Sequence, residues 1–207
     1  MNANSITKAT LGRLPGYLQY LKDTAGCGRE NISATAIAKA LSLGEVQVRK
    51  DLASVCGAGK PKIGYERKKL ISDIEHTLGR ESSVGAVIIG AGKLGRALLD
   101  YDGFEEFGVK ILAAFDANEQ ALSARGAAKP VLPMSELYDF AKANDIRIGI
   151  IAVGKSAAQQ VLDRLCECGI TAVLNFAPVC LKAPKGVAVK QENLALSLAH
   201  LKAQIEG

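Results

Sequence analysis

The sequence predicts an α/β protein in two parts: a small helical unit carrying a wing-like loop, then a larger unit built on a doubly wound parallel sheet. Three observations predict it. Val84–Asp116 reads apolar strand, glycine-rich turn, helix, second apolar strand, acid. Beyond it, apolar runs of strand length keep alternating with helical periodicity, the pattern of a parallel sheet covered by helices. Ahead of it, residues 1–80 hold thirteen Lys/Arg against seven Asp/Glu, whereas residues 81–207 hold thirteen against fourteen. A basic small half joined to a near-neutral half points to nucleic acid as partner of the first.

At 48% hydrophobic and 23% charged residues, the 207-residue composition is that of a globular protein and excludes a disordered or fibrous chain. No apolar run approaches the roughly 18 residues of a membrane span. The start, M-N-A-N-S-I-T-K-A-T, has no apolar signal core. Five cysteines without framework spacing point to reduced thiols. A cytoplasmic protein with no membrane partner is expected.

Ile6–Lys22 places leucines at 11, 14, 18 and 21, a helical spacing that marks one buried face. Pro15 is expected to kink or restart that helix, and Gly26 and Gly28 to close it. In Ile32–Leu52, Ser33 is the expected N-cap of a short helix whose apolar face is Ile37, Ala40 and Leu41. Ser42-Leu43-Gly44 makes a turn. The following helix buries Val48 and Leu52 and leaves Gln47, Arg49 and Lys50 on its polar side. Two short helices with a tight turn, the second bearing Gln, Arg and Lys, form a helix-turn-helix pattern. Arg and Lys suit guanine edges or phosphates, and Gln can read adenine.

Gly57–Tyr65 follows as a glycine-rich, basic, hairpin-like loop, where a winged helix carries its wing; Lys60 and Lys62 are in reach of phosphates or the minor groove. With Tyr65, these residues and Gln47, Arg49 and Lys50 form the candidate DNA-binding set. Residues 66–69 are expected in solvent, Leu70, Ile71, Ile74 and Leu78 on the inner face of a connecting helix, and Gly79–Ser83 as linker. The expected domains are therefore 1–80 for DNA, 81–190 for a dinucleotide, and 191–207 as a C-terminal helix.

In the second part, strand Val84–Ile89 runs into Gly90-Ala91-Gly92-Lys93-Leu94-Gly95, then a helix to about Tyr101, then strand Val109–Phe115 and Asp116. This is the Rossmann dinucleotide fingerprint in its proper context. Gly90 permits the turn, Gly92 admits a pyrophosphate to the backbone, and Gly95 lets helix and strand pack closely. The helix N-terminus holds the phosphates. Asp116 accepts hydrogen bonds from a ribose and repels a 2′-phosphate, which selects NAD(H) over NADP(H). Further on come helix Glu136–Ala143, strand Ile148–Val153, helix Ser156–Cys168, strand Ala172–Leu174 and strand Val187–Val189. Val153, Gly154 and Asn175-Phe176-Ala177-Pro178 fall at carboxyl ends of strands, where such sheets bind ligands. The tail has Leu194, Leu198, Leu201 and Ile205 at helical spacing, to cover its own sheet or to pack on a second subunit.

A small NAD-dependent dehydrogenase is the rival reading. Hydride transfer to a carbonyl needs a proton donor near the nicotinamide. The two histidines, His76 and His200, are not at predicted strand ends. Tyr138 and Lys142 have the Tyr-x-x-x-Lys spacing, but without the matching glycine fingerprint they read as helix surface. Cys166 and Cys168 point to different faces and define no metal site. No enzyme activity is expected.

Taken together, R-L-P-G-Y-L (13–18), Q-V-R-K-D-L (47–52), I-G-Y (63–65), G-A-G-K-L-G-R-A-L (90–98), Y-D-G-F (101–104), A-A-F-D (113–116), I-A-V (151–153) and L-N-F-A-P-V (174–179) resemble the Rex redox-sensing transcriptional repressors of bacteria almost end to end. The resemblance implies a homodimer with an N-terminal winged helix, a Rossmann domain and a last helix exchanged between subunits. It also implies release from double-stranded, palindromic operator DNA when NADH binds, and it adds Tyr101 to the cofactor set. Cys56 stands where an aromatic residue is usual, and Pro61 where the wing usually has an arginine. Gln19 and Asn193 occupy the positions of a cross-subunit Arg–Asp pair and are expected to replace it by a neutral amide contact, helped by Tyr101.

Overall fold

A computed structural model describes residues 6–27, 30–79, 83–118, 122 and 129–206. Gly28 and residues 80–82 of the expected linker lie outside the described residues. The chain divides into two compact units between residues 82 and 83.

The first unit holds α1 (Lys8–Asp23), α2 (Ala34–Ala40), α3 (Glu45–Cys56) and α4 (Arg67–Thr77), with β1 (Asn31–Ile32) paired antiparallel to β2 (Tyr65–Glu66). Thr7 caps α1 by accepting a hydrogen bond from the Thr10 amide. Pro15 does not restart the helix: α1 runs unbroken from Lys8 to Asp23. Leu14, Tyr17, Leu18 and Leu21 are all buried on its two sides, and packing both halves into one core outweighs the hydrogen bond a proline removes. That face turns toward Tyr17 and Thr10, leaving Leu11 38% exposed.

Ser33 caps α2 as expected, but the buried residues are Ala34, Ile37 and Ala38, with Ala40 exposed and Leu41 ending the helix. Val48 and Leu52 of α3 and Leu70 and Ile74 of α4 complete the core, while Ile71 and Leu78 are only half-buried. Arg67, expected in solvent, is buried; its guanidinium donates to the Leu21 carbonyl and to Thr24 Oγ1 at 3.1 and 2.6 Å, closing the end of α1.

The second unit is a six-stranded parallel sheet in the order β5-β4-β3-β6-β7-β8. Its strands are β3 (Val84–Ile89), β4 (Val109–Asp116), β5 (Val131–Pro133), β6 (Ile146–Ile151), β7 (Ala172–Asn175) and β8 (Ala188–Gln191). Helices α5 (Lys93–Leu99), α6 (Leu137–Ala143), α7 (Ala158–Glu167) and α8 (Leu194–Glu206) alternate with them. The order reverses beside β3, so the ends of β3, β4 and β6 open the crevice where such sheets take ligands. Along β3, Val87 and Ile89 face one core with Phe115, Leu162 and Leu165; Ala86 and Ile88 face the other with Leu99 and Ile150.

Several boundaries differ from expectation. β6 starts at Ile146 and stops at Ile151, which leaves Val153 in the following loop. α5 ends at Leu99, and a separate 3-10 turn covers Asp102–Phe107. β5, absent from the sequence reading, has three residues and ends in proline, too short to register as alternation. In α8, Leu194, Leu196, Leu198, Leu201 and Ile205 are 55% to 84% exposed, so the helix does not cover its own sheet. Among the described residues no helix is long and apolar enough to cross a membrane.

Candidate nucleic-acid and dinucleotide sites

In the first unit, α3 and the loop after it make one basic surface. Lys60 and Gly64 exchange both backbone hydrogen bonds at 2.8 Å, closing a hairpin whose tip is Pro61-Lys62-Ile63. Gly64 has φ 86°, and a Cβ there would press on the Ile32 carbonyl, so only glycine turns this corner. A groove of about 580 Å³ runs between helix and wing, its polar wall formed by Arg49, Lys50, Lys60, Lys62 and Ser33. Lys50, Lys60 and Lys62 are exposed, and Arg49 pairs with Glu45 one turn back. A concave surface of this sign and shape suits a phosphate backbone.

Two of the expected DNA-binding residues have partners inside the unit. Tyr65 is only 8% exposed and pairs through β2 with Ile32; its ring packs on Gly59, where a Cβ would come within 2.8 Å. It braces the wing from beneath. Gln47 is exposed and donates from Nε2 to Asp51 at 2.9 Å, which uses one amide hydrogen and leaves Oε1 and the other.

Asp51 is the residue that sequence reasoning missed. It is 2% exposed and accepts from Thr10 Oγ1, Tyr17 OH, Gln47 and both Nε and Nη2 of Arg13, at 2.7 to 3.1 Å. Burial alone would raise its pKa; the hydrogen bonds from Arg13, Tyr17, Gln47 and Thr10 prevail and hold it at about 2. Burial and the bond to Asp51 push Tyr17 up to about 12. The cluster locks α3 to α1. One signal was present: Val48, Asp51 and Leu52 share a helical face, which puts an acid in an apolar stripe.

In the second unit the three fingerprint glycines are required for three different reasons. Gly90 has φ 103°, and a Cβ would stand 2.7 Å from the Ala152 carbonyl oxygen. A Cβ on Gly95 would overlap the Gly90 carbonyl, so α5 packs on the turn itself. A Cβ on Gly92 would meet nothing within 4 Å. Its lack of a side chain serves no contact inside the protein, which leaves room for a ligand. Lys93 and Leu94 lie exposed on the first turn of α5, and Arg96 Nε donates to the Ala91 carbonyl at 2.8 Å.

Asp116 already organises this loop. Oδ2 accepts from the Ala91 amide at 2.7 Å and Oδ1 from the Asn118 amide at 2.8 Å. Each carboxylate oxygen keeps a second lone pair for a ribose hydroxyl. Asp116 and Gly90 open onto a cleft of about 290 Å³ with Phe115, Met134, Val153 and Arg164, an apolar slot sized for a flat heterocycle. Replacing Asp116 by Ala should narrow the discrimination against NADPH, by about tenfold if the lost repulsion amounts to roughly 1.4 kcal/mol. Parallel NADH and NADPH titrations check this; an unchanged ratio would assign the discrimination to another group.

The loop after β7 differs from expectation. Asn175 is fully buried, donates from Nδ2 to the carbonyls of Ala177 and Val179 and to Gln191 Oε1, and accepts from the Ala177 amide. Asn175 and buried Ala177 thus shape the loop, while half-buried Phe176 and exposed Pro178 form its outer surface. Gly154 is exposed and Val153 half-buried. Tyr101 is 57% exposed, its ring edge-on to Phe104 at 5.1 Å. Gln19 donates to Asp23 at 2.7 Å, and Asn193 Oδ1 accepts from the Leu196 amide at 3.2 Å, so each bonds within its own element.

Three of the thiols and the Tyr–Lys pair have structural accounts. Cys56 donates to the Leu52 carbonyl, and burial pushes its pKa up to about 11, the opposite of a reactive thiol. Burial likewise raises Cys166 and Cys168. Tyr138 lies on an exposed side of α6 with the Lys142 ammonium 4.3 Å from its ring centroid. His76 lies on α4 and His200 on α8, where it bonds Gln204, so neither stands at a strand end. Among the described residues no group of three or more His, Cys, Asp or Glu is arranged to hold a metal.

A basic winged helix joined in one chain to a dinucleotide cleft defines the class: a DNA-binding regulator that takes a nucleotide. Comparison with known proteins gives the family. Residues 81–179 match the family model described as "CoA binding domain", and residues 5–53 the one described as "Putative DNA-binding protein N-terminus". The redox-sensing transcriptional repressor Rex of Clostridioides difficile (strain 630) is 37% identical over 194 residues, 94% of this chain and 92% of that one. That of Treponema denticola is 40% identical over 189 residues, 91% and 90%. The crystal structure of RSP with beta-NAD+ and operator DNA aligns with a TM-score of 0.87 at 31% identity, covering 97% of this chain and 92% of that chain. RSP with beta-NADH gives 0.86 at 30% identity, covering 98% and 95%. The chain belongs to the Rex family of redox-sensing transcriptional repressors.

Proposed function

We propose that this protein represses transcription by gripping palindromic operator DNA as a cytoplasmic homodimer, and that NADH in the cleft beside Asp116 releases it. The observation that carries this is the pairing, in one chain, of the basic groove between α3 and the wing with a glycine-loop cleft ended by an acid. The Rex relatives, and the operator and NADH complexes of RSP, support it.

The cleft of each protomer receives adenosine at Asp116 and pyrophosphate at Gly92, and the nicotinamide reaches toward Phe176 and Pro178. NAD⁺ and NADH differ there by a positive charge and by ring planarity; an apolar wall penalises the charged ring and favours NADH. Hydride is read, not transferred. The bare leucines of α8 pair with a second copy, which brings two recognition helices to successive major grooves roughly 34 Å apart. Gln19 of one subunit meets Asn193 of the other in place of an ion pair. Moving such a dimer from 1:99 to 99:1 takes about 5.5 kcal/mol of differential affinity, which two sites share.

A gel shift on a palindromic promoter fragment with NADH, NAD⁺ or neither tests the reading: release by NADH alone is expected, and substrate turnover without DNA binding would overturn it. In the same assay, Arg49→Ala and Lys50→Ala should each weaken operator binding at least tenfold while NADH affinity stays unchanged. DNA affinity should fall with salt at a log–log slope near −0.9 per phosphate neutralised.

A further inference from the structure

We propose that Gln191 is a positioning residue that couples the loop after β7 to the root of α8, so that a ligand against Phe176 and Pro178 is felt by the dimerising helix. The inference rests on the NADH-release reading above.

β8 is the edge strand, and its last residue, Gln191, pairs in register with Asn175 at the end of β7. Their side chains interlock above the ladder. Asn175 Nδ2 donates to Gln191 Oε1 at 2.7 Å, and Gln191 Nε2 donates to the Ala177 carbonyl at 2.8 Å. The Asn175 carbonyl accepts from the Glu192 amide at 2.8 Å, so three bonds tie this loop to residues 191 and 192.

Only Glu192 and Asn193 separate Gln191 from Leu194, the first residue of α8, and Asn193 caps that helix through Leu196. Asn175 is fully buried, and its amide cannot turn without giving up bonds to Ala177 and Val179 as well. A shift of the Phe176–Pro178 loop therefore moves the end of β8, or leaves buried amide groups unpaired, which is the costlier outcome. By contrast, Lys190 one residue earlier is exposed, its ammonium 3.6 Å from Glu192, and has no bond to the loop.

The test uses the full-length protein, with NADH affinity read by nucleotide fluorescence and DNA release by anisotropy of a labelled operator. Gln191→Met keeps the length and removes the bonds. It should bind NADH within about threefold of wild type yet need at least tenfold more NADH to release half the DNA. Lys190→Met should match wild type in both readouts. Gln191→Glu, which keeps the acceptor for Asn175 and loses the donor to Ala177, should fall between them, and it decides the matter if Gln191→Met does not fold. Equal loss in affinity and release would make Gln191 only part of the pocket wall and overturn the proposal, as would a Gln191→Met indistinguishable from wild type. A wild-type protein that NADH does not release from DNA would instead sink the underlying reading.

Discussion

Gly92→Val should abolish the NADH response while leaving fold, stability and operator binding intact. Most glycine substitutions in such a loop would fail for dull reasons: Gly90 sits at φ 103° against the Ala152 carbonyl, and a Cβ on Gly95 would overlap the turn. Gly92 differs, since an added Cβ meets nothing within 4 Å and its φ of −70° is open to any residue. The isopropyl group then occupies only space meant for a pyrophosphate. Because the phosphates anchor both halves of the dinucleotide, affinity should drop at least a hundredfold, about 2.7 kcal/mol. Thermal melting, operator gel shift and NADH titration check the three parts separately. A melting point lowered as far as that of Gly95→Ala would mean that Gly92 is structural after all.

Asp51→Ala should have the opposite signature, losing DNA binding and keeping NADH. It strands Tyr17 OH, Thr10 Oγ1 and the guanidinium of Arg13, which had been satisfied by one buried carboxylate. Removing one partner of a buried ion pair costs about 3–5 kcal/mol, and Arg13, 27% exposed, puts this case at the lower end. Against a total stability of roughly 5–15 kcal/mol, this leaves the first unit folded but melting well below wild type, with α3 no longer locked to α1. The same carboxylate gives wild type an acid limit. Its folded pKa, about 2, lies below the ordinary 3.8, so its stabilisation is complete above about pH 4 and is lost as pH falls toward 2. The amount is about 2 kcal/mol. Circular dichroism across that window, with NADH binding followed in parallel, reads both effects.

The fingerprint was legible because its chemistry is written in glycines and one acid at fixed spacing, and backbone geometry leaves those few alternatives. The parallel sheet was legible for a similar reason: strands buried on both faces become unbroken apolar runs, as Val84–Ile89 and Ile148–Ile151 are. What stayed hidden depended on partners far away in sequence. Asp51 meets Arg13 across 38 positions, Arg67 meets Leu21 across 46, and Asn175 meets Gln191 across 16. Arg67 reads as solvent surface and Asn175 as a ligand contact, and only the folded chain shows what each bonds. Tyr65 is a like case: a tyrosine in a basic loop reads as a contact, and only the fold shows its ring packed beneath the wing on Gly59. For Pro15 the local rule allowed a restart, and α1 runs through it because both of its halves pack into one core.

The bonds from Ala91 and Asn118 to Asp116 bear on how fast the switch responds. A receptor wall already fixed by its own amides does not need to be assembled around an incoming nucleotide, so little ordering entropy opposes capture. Association then runs at the pace of encounter, and the lag after cellular NADH falls is set by how long each nucleotide stays. A carboxylate in place before the ligand arrives thus speeds engagement of the switch, while its release is left to the residence time of the nucleotide.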